Sequence, residues 1–277
     1  KKIIGFLYTY PLNEKKTCIK INTPNFIDNN FPSTHRSLTL ELMRKSISNT
    51  DLKTSSWIIN ADINNIELIS CSRELGFQPL QEIKIWSKSN HANAINKIQS
   101  NDYQIHNFTK IDQDNIQKVL NFIRANESLL IRNILDLSQK DIYKRNDKSC
   151  GSILIDNEII FTILKDINYL DENVYSFTRG FSWDRRITST LKYIVENIFT
   201  NNPRALLKTY SDDKELYSFL IDFDFIEVRS ELILIRNNLI KREIKSKNKI
   251  NNSIESILEK IKPQGNVFPS PFPIVLK

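Results

Sequence analysis

The sequence predicts an α+β protein that consists of two related units and a basic C-terminal tail. Short runs in which apolar and polar residues alternate, such as residues 80–86, predict strands, and longer runs with apolar residues every three or four positions predict helices. A second observation is an internal repeat, because the helix–strand–helix–strand pattern of the first unit returns about 148 residues later. The 277 residues also suit two domains of ordinary size better than one large core.

In the first unit, residues 1–88, the pattern predicts four strands and two helices. The strands are expected at residues 2–10, 17–21, 56–60 and 80–86, and the helices at residues 33–48 and 65–75. Ser33 or Thr34 suits the N-cap of the first helix. Gly76 suits the left-handed residue that ends the second helix, and Phe77 is then expected to fill the core as the chain reverses.

A polar stretch at residues 89–101 is interpreted as a linker, and residues 102–240 form the second unit. The predicted strands of this unit are residues 103–108, 152–155, 159–164, 174–181, 205–208 and 231–235. Its predicted helices are residues 112–124, 129–143, 185–199 and 213–221. The basic tail, residues 241–277, is expected to contain a short helix at residues 253–261 and a proline-rich end at residues 269–273.

The internal repeat aligns residues 57–77 with residues 205–225 without a gap, and four of the 21 positions are identical. The identical pairs are Glu67/Glu215, Leu68/Leu216, Ser70/Ser218 and Phe77/Phe225. Asp224 takes the place of the helix-ending glycine, and aspartate tolerates that conformation better than most residues. We interpret the repeat as a duplication; the alternative is that two α/β segments of similar composition align this well by chance.

The two copies are expected to differ in length. The helices before the aligned strands match at an offset of 149, which pairs Arg36 with Arg185. On this alignment the first copy lacks about fifty residues that the second copy has between residues 101 and 152. The chain begins without Met, which agrees with a first copy that is incomplete at its N-terminus.

Residues 65–77 follow a pattern that is found in one enzyme superfamily. The positions that carry it are Asn65, Leu68, Ser72, Leu75, Gly76 and Phe77. Together with the order of strands and helices up to about residue 240, this pattern resembles the GNAT superfamily of acyl-CoA N-acyltransferases.

The resemblance implies two tandem GNAT-like domains, each a mixed, mostly antiparallel central sheet flanked by helices. It also implies that acetyl-CoA or another acyl-CoA is the co-substrate and that an amine of unidentified structure is the acceptor. A second hypothesis stays open, in which the chain is a catalytically inactive tandem scaffold or an acyl-CoA-binding or interaction protein.

The family binds the pyrophosphate of acyl-CoA at one helix N-terminus, where glycines normally let the phosphates approach the backbone. By resemblance, the cofactor-binding residues are Arg36, Ser37, Leu38, Thr39 and Asn65 in the first unit and Arg185, Arg186, Ile187 and Thr188 in the second. Hydroxyl residues or arginine stand where glycines are expected. Arg185 and Arg186 add donors that suit phosphate, whereas Asp184 would repel an anion and alternatively caps a solvated helix.

No catalytic residue is assigned from the sequence. Many family members use a tyrosine, five residues before the Phe of Gly-Phe, to protonate the leaving thiolate. Ser72 holds that position in the first unit and Leu220 in the second, while Tyr217 lies one turn earlier on a neighbouring stripe. Asp166, Asp171 and Glu172 fall in a predicted loop, where carboxylates are usually solvated, so none of them is assigned as the base.

Composition limits the metals and partners that we expect. The three cysteines and three histidines are isolated from one another, which predicts reduced thiols, a cytoplasmic protein and no metal site. No run of about 18 apolar residues predicts a membrane span. Most of the net charge of +7 lies in the tail, where lysines are commonly solvated, so nucleic acid is not the expected partner. A protein that docks on the proline-rich end remains an open hypothesis.

Overall fold

The computed structural model describes residues 4–27, 32–51, 53–89, 108–169, 172–181 and 183–238. All of these residues belong to one compact unit, Lys1–Leu239. The predicted linker, except for Ser89, and the basic tail lie outside the described residues. The tail helix and a protein partner for the tail therefore remain predictions.

The described part of the first unit contains eight elements, in an order close to the predicted one. They are β1 (Gly5–Phe6), β2 (Thr9–Pro11), β3 (Cys18–Ile21), β4 (Asn25–Phe26), α1 (Pro32–Ser48), β5 (Ser56–Asp62), α2 (Ile66–Glu74) and β6 (Gln78–Lys88). The first predicted strand is divided into β1 and β2. The two halves separate because β1 pairs with β4 in a small sheet of its own, whereas β2 joins the main sheet.

Eleven elements follow in the described part of the second unit. They are β7 (Phe108–Thr109), α3 (Ile116–Asn126), α4 (Leu129–Leu135), α5 (Gln139–Lys144), β8 (Gly151–Ile155), β9 (Glu158–Lys165), β10 (Val174–Arg179), α6 (Ile187–Asn201), β11 (Leu206–Tyr210), α7 (Lys214–Asp222) and β12 (Phe225–Asn237). The single helix predicted at residues 129–143 is wrong. Asp136, with φ of 39°, ends α4, and a capping box of Ser138 and Asp141 starts α5.

Turn residues with positive φ mark the other predicted chain reversals. Gly76 has φ of 85°, and Asp224 has φ of 60° at the matching position, as the alignment predicts. Asp156 and Asn157, with φ of 52° and 66°, form a two-residue hairpin turn between β8 and β9. These short polar residues reach the left-handed region at lower cost than a branched side chain would.

Ten strands form one continuous mixed sheet in the order β2-β3-β5-β12-β6-β11-β10-β9-β8-β7. The pairs β3–β5 and β10–β11 are parallel, and the other neighbouring pairs are antiparallel. This architecture confirms the predicted α+β class with a mixed, mostly antiparallel sheet flanked by helices. It differs from the expectation in one respect, because the two expected sheets are joined into one.

The two sheets are joined because each unit places its last strand against the other unit. β6 follows β5 and α2 along the chain, yet β5 pairs with β12, and β6 pairs with β11. The two exchanged strands also pair with each other at the centre of the sheet. A boundary at residue 88 therefore divides the sequence into units but does not divide the sheet.

The pairing register around these central strands is symmetric. Glu231 lies opposite Ile83, the residue 148 positions earlier. Leu207 opposite Trp86 in the second unit has its counterpart in Ile59 opposite Leu234 in the first unit, again at an offset of 148. All four β11–β6 pairs have a β5–β12 counterpart of this kind. This symmetry supports the interpretation of the repeat as a duplication.

Helices from the second unit also pack on the first unit. Ile134 of α4 lies in an apolar cluster with Leu12, Cys18, Ile58 and Ile235. The turn between β2 and β3 is held by polar contacts as well, since the side-chain amide of Asn13 donates to the carbonyl of Leu135 at 2.8 Å. Burying each such aliphatic side chain stabilises the fold by roughly 1.5–3 kcal/mol.

We predict that residues 1–100 and residues 101–277, produced as separate chains, fold only together. Alone, each fragment would leave β5 or β11 without a central neighbour and would expose apolar side chains of the shared sheet. Co-expression with an affinity tag on one fragment should recover both in equal amounts, and circular dichroism should show a cooperative unfolding transition. Two fragments that each fold as a monomer would contradict the exchange of β6 and β12.

Candidate functional site

A gap opens in the second unit where the parallel strands β10 and β11 separate. The two strands pair over three residues, and the last pair is Ser176–Lys208. Beyond it, β10 continues to Arg179 and β11 to Tyr210. Within the described chain the facing backbone edges have no strand partner past this point. They can therefore accept hydrogen bonds from an extended ligand.

Two adjoining cavities occupy this gap, on the side that α3 and α4 cover. The mouth cavity, of about 430 Å³, reaches Arg179 near the surface. The inner cavity, of about 60 Å³, is lined by Arg145 and Asp166. Glu127 and Tyr210 line both cavities, so they stand at the junction between them.

Glu127 and Tyr210 form a hydrogen-bonded pair at the junction. The Tyr210 hydroxyl donates to the Glu127 carboxylate, with distances of 3.1 and 3.2 Å to its two oxygens. Burial raises the pKa of Glu127, although the charge of Lys208 and the hydrogen bond from Tyr210 oppose the shift. Burial and the charge of Glu127 also raise the pKa of Tyr210, which keeps the phenol protonated. A carboxylate with a raised pKa is a better proton acceptor near neutrality than an exposed one.

Asp166 and Lys208 form a buried ion pair at the inner cavity. Burial alone would raise the pKa of Asp166, but the charges of Lys208 and Arg145 and hydrogen bonds from Lys208 and Asn168 lower it to about 2. The Asn168 side-chain amide donates to Asp166 at 2.7 Å. Asp166 is therefore held ionised and fully engaged, so it cannot serve as a base near neutral pH.

The start of α6 contains the four cofactor-binding residues predicted for the second unit. Nε and Nη2 of Arg186 bind the Asp184 carboxylate, and the Arg186 backbone N–H donates to the same carboxylate at 2.9 Å. The N–H groups of Ile187 and Thr188 donate to backbone carbonyls within the turn. Arg185 is exposed and has no ion pair within the described residues. Of the two exposed arginines at this helix start, Arg185 is therefore the one without a carboxylate partner in the described chain.

Arg179 connects the mouth cavity to the start of α7. Its Nε bonds to Asp213 at 2.9 Å, and its Nη2 bonds to Glu215 at 2.8 Å. Beside this ion pair, Arg185 of the α6 start and Lys214 of α7 face a shared cleft of about 590 Å³. Glu215 and Asp222 line the same cleft, but neither forms an ion pair with Arg185 or Lys214 within the described part of the chain.

The residues predicted for the first unit are arranged differently. Arg36 is engaged with α2, since its Nη2 binds Glu74 at 2.7 Å. Ser37 is exposed, Leu38 is half-buried and Thr39 is buried. The binding role predicted for these four residues stays a prediction.

Asn65 and the position expected to carry a general acid have structural contacts. Asn65 caps α2, where its side chain accepts the Leu68 N–H at 3.0 Å. Ser72 is fully buried and donates to the Leu68 carbonyl at 2.7 Å. Leu220 is also fully buried, and Tyr217 packs its ring on the sheet against Trp86. None of these side chains lines either cavity of the second unit.

The first unit has a matching gap, and a buried lysine lies in it. The parallel pairing of β3 with β5 ends at Lys20–Ile58, and a cavity of about 370 Å³ follows. Lys20 is 3 % exposed, and its Nζ has no hydrogen-bond partner within the described residues. Burial lowers the pKa of Lys20 to about 7, the charges of Glu231 and Asp166 oppose the shift, and Lys208 adds to it.

Sequence reasoning missed Glu127, Tyr210 and Lys20. Glu127 and Tyr210 are 83 residues apart, and each falls at the end of a helix or strand where a polar residue is unremarkable. Lys20 carries a weak signal, because it is a lysine inside an otherwise apolar strand. Glu172, which the sequence places in the same loop as Asp166, is bound by Arg229.

Among the residues that the structure describes, no group of three or more His, Cys, Asp or Glu side chains is arranged to hold a metal ion. No helix in this part of the chain combines the length and apolar character that crossing a membrane requires.

We predict that Lys20→Met stabilises the fold, and that the gain is larger at pH 7.5 than at pH 9. Between its folded pKa of about 7 and its unfolded pKa of 10.5, the unfolded chain binds the Lys20 proton and the folded chain does not. The stability of the wild type therefore rises with pH in this window, by roughly 2 kcal/mol from pH 7.5 to 9. Denaturant unfolding at both pH values measures it, with exposed Lys45→Met as the control. An equal gain at both values would contradict the lowered pKa.

Comparisons with known proteins bear on the fold. No protein-family model matches the sequence, and no curated protein matches it significantly. A Pyrococcus horikoshii protein assigned as an acetyltransferase has a TM-score of 0.50 at 9% identity, covering 84% of this chain and 69% of its own. A GCN5-related N-acetyltransferase from Sphaerobacter thermophilus has a TM-score of 0.48 at 8% identity, covering 83% and 76%. A tandem GNAT protein from the clavulanic acid biosynthesis pathway has a TM-score of 0.47 at 6% identity, covering 80% and 75%. The chain therefore has a GNAT-like fold.

Proposed function

We propose that this protein is an acyl-CoA-dependent N-acyltransferase whose active site lies between β10 and β11 of the second unit. The observation that carries the proposal is the gap between these parallel strands, which leads to a carboxylate at the junction of two cavities. The open backbone edge suits an extended acyl donor, and the carboxylate suits an amine acceptor, which has to lose a proton to a base.

Acetyl-CoA is the proposed co-substrate, and the residues around the gap fit such a ligand. The free backbone edges of β10 and β11 can bind the amide groups of its extended arm. Arg185 and Lys214, which share the cleft between α6 and α7, can bind its phosphates. Arg186 is not part of this proposal, because Asp184 occupies its guanidinium. When bound, acetyl-CoA supplies a thioester carbonyl that a free amine attacks, with release of the thiol.

Glu127 is the proposed general base. Its carboxylate accepts the proton of the acceptor ammonium group, which frees the nitrogen lone pair for bond formation. The hydrogen bond from Tyr210 holds the carboxylate at the junction of the cavities. A proton donor for the leaving group is not assigned, since the low pKa of a thiol lets the C–S bond break with release of the thiolate, which then takes a proton from water.

The first unit is proposed to have a structural role. In the second unit, α3 and α4 cover the side of the gap where an acceptor would bind. The described part of the first unit has no helices of its own in this position, and Arg36 is paired with Glu74. The first unit contributes β6, which is the neighbour of β11 next to the gap.

A second candidate function is binding of acyl-CoA without acyl transfer. It is favoured by the ion pairs of Arg179 with Asp213 and Glu215, which lie across the mouth of the gap. The Arg179 side chain of these pairs is largely buried from solvent. An acceptor would have to pass beside it to enter the gap. Formation of an acylated amine under conditions where acetyl-CoA binds would decide between the two functions.

We predict that Arg185→Glu weakens acetyl-CoA binding at least tenfold, whereas Arg36→Glu leaves it within twofold. The two arginines occupy matching positions of the repeat and both are exposed, so each variant makes the same charge change, although Arg36 lies in the second turn of α1 and Arg185 precedes α6. Thermal shift in acetyl-CoA titrations measures binding, since saturation at a hundred times the dissociation constant adds about 2.7 kcal/mol of stability. The opposite ranking of the two variants would place the site in the first unit.

We predict that Glu127→Gln lowers kcat/KM for amine acetylation by about 10²–10³-fold while acetyl-CoA binding persists. The amide keeps the size of the side chain and can still bond to Tyr210, but it cannot accept a proton near neutrality. In the wild type, kcat/KM should rise with pH as Glu127 ionises, and this limb should disappear in the variant. An unchanged rate and pH profile would rule out Glu127 as the base.

A further inference from the structure

Arg145 lines the inner cavity, and two buried nitrogens of its guanidinium have no partner among the described residues. Arg145 is 8 % exposed, and the two nitrogens are its Nε and Nη2. These two nitrogens share the guanidinium edge that carries two parallel N–H bonds, which match the two oxygens of a carboxylate. Arginine does not lose its proton in proteins, and a buried charge without a partner is costly. This edge therefore requires an anionic group.

The same edge of another arginine in the chain is already occupied by a carboxylate. Nε and Nη2 of Arg186 bind Asp184 at 3.0 and 2.7 Å. Two carboxylates lie near Arg145, but both are engaged elsewhere. Asp166 binds Lys208 and Asn168, and Glu127 accepts the hydroxyl of Tyr210. Neither forms an ion pair with Arg145, so the protein's described residues leave the edge to a ligand.

The charges around the inner cavity favour an anion as well. The ionisable side chains with formal charge that line it are Arg124, Arg132, Arg145, Lys208, Glu127 and Asp166, an excess of two positive charges. A cavity of about 60 Å³ holds a group of only a few atoms, such as a carboxylate. The rest of a ligand would lie at the junction and in the larger mouth cavity.

We propose that the acceptor amine carries a carboxylate, which enters the inner cavity and pairs with the guanidinium of Arg145. The amine of the same molecule then lies at the junction, where Glu127 can take its proton. The role given to the amine rests on the proposed acyl transfer, whereas the carboxylate site can be tested without it. The substrate class is therefore a small amino acid or another short amino carboxylate.

Matched pairs of amines test the substrate class. Glycine, β-alanine and γ-aminobutyrate are compared with methylamine, ethylamine and propylamine, which have the same carbon chain without the carboxylate. With acetyl-CoA, we expect kcat/KM to be at least tenfold higher for one or more amino carboxylates than for its partner. A ratio near one for all three pairs, in the presence of measurable acetylation, would overturn the proposed carboxylate site.

Binding without acetyl-CoA provides a readout that does not depend on activity. Ligand-observed NMR with the same six compounds should detect an amino carboxylate and not its matched amine. In Arg145→Lys, which keeps the charge but removes the paired edge, affinity for the preferred compound should fall at least tenfold. Arg145→Met tests the effect of removing the charge. If Arg145→Met does not fold, the result for Arg145→Lys alone decides the outcome. Arg236→Met, a half-buried arginine away from both cavities, is the matched control.

The outcomes separate this inference from the proposed function. Binding of an amino carboxylate that depends on Arg145, without acetylation of any amine, would support the carboxylate site and overturn acyl transfer. Acetylation without a preference for amino carboxylates would support acyl transfer and overturn the site. Binding that is equal in the wild type and in Arg145→Lys would overturn the role of Arg145, whatever the activity.

Discussion

The exchange of β6 and β12 is the constraint on which the rest of the structure depends. Each unit completes the sheet of the other, so neither parallel pair has all of its neighbours until both units are present. The gap between β10 and β11 also depends on both units, because β6 of the first unit pairs with the edge of β11 that faces away from the gap. Any ligand bound in the gap therefore rests on a surface to which both halves of the sequence contribute.

Buried charged side chains of the two units also influence one another across the shared sheet. The protonation of Lys20, in the first unit, is set partly by Asp166 and Lys208 of the second. Asp166 in turn depends on Lys208 and Arg145 to remain ionised. Burial makes each charge costly to leave alone, so the two gaps are electrostatically linked although they belong to different units.

Patterns within short segments predicted most helices and strands, whereas features that depend on contacts between distant segments could not be predicted from the sequence. Gly76 and Asp224 were predictable because a left-handed helix end selects glycine or aspartate at one position. The break at Asp136 was missed because apolar spacing continues on both sides of it. The strand exchange has no local signature at all, since an alternating strand such as β6 satisfies its pattern against either neighbour. The Glu127–Tyr210 pair and Arg145 were missed for the same reason, because the surroundings of each side chain are formed by residues distant in the sequence.

The asymmetry between the two gaps follows from what covers them. In the second unit, α3 and α4 close one side and shield Glu127, and this burial raises the pKa of its carboxyl. The first gap instead contains Arg229 bound to Glu172 and Glu231, and a buried lysine, Lys20, whose Nζ has no hydrogen-bond partner within the described residues. Two copies of one strand arrangement can thus diverge in chemistry without any change in the sheet. The helices over the gap, rather than the strands that form it, determine which copy contains a shielded carboxylate.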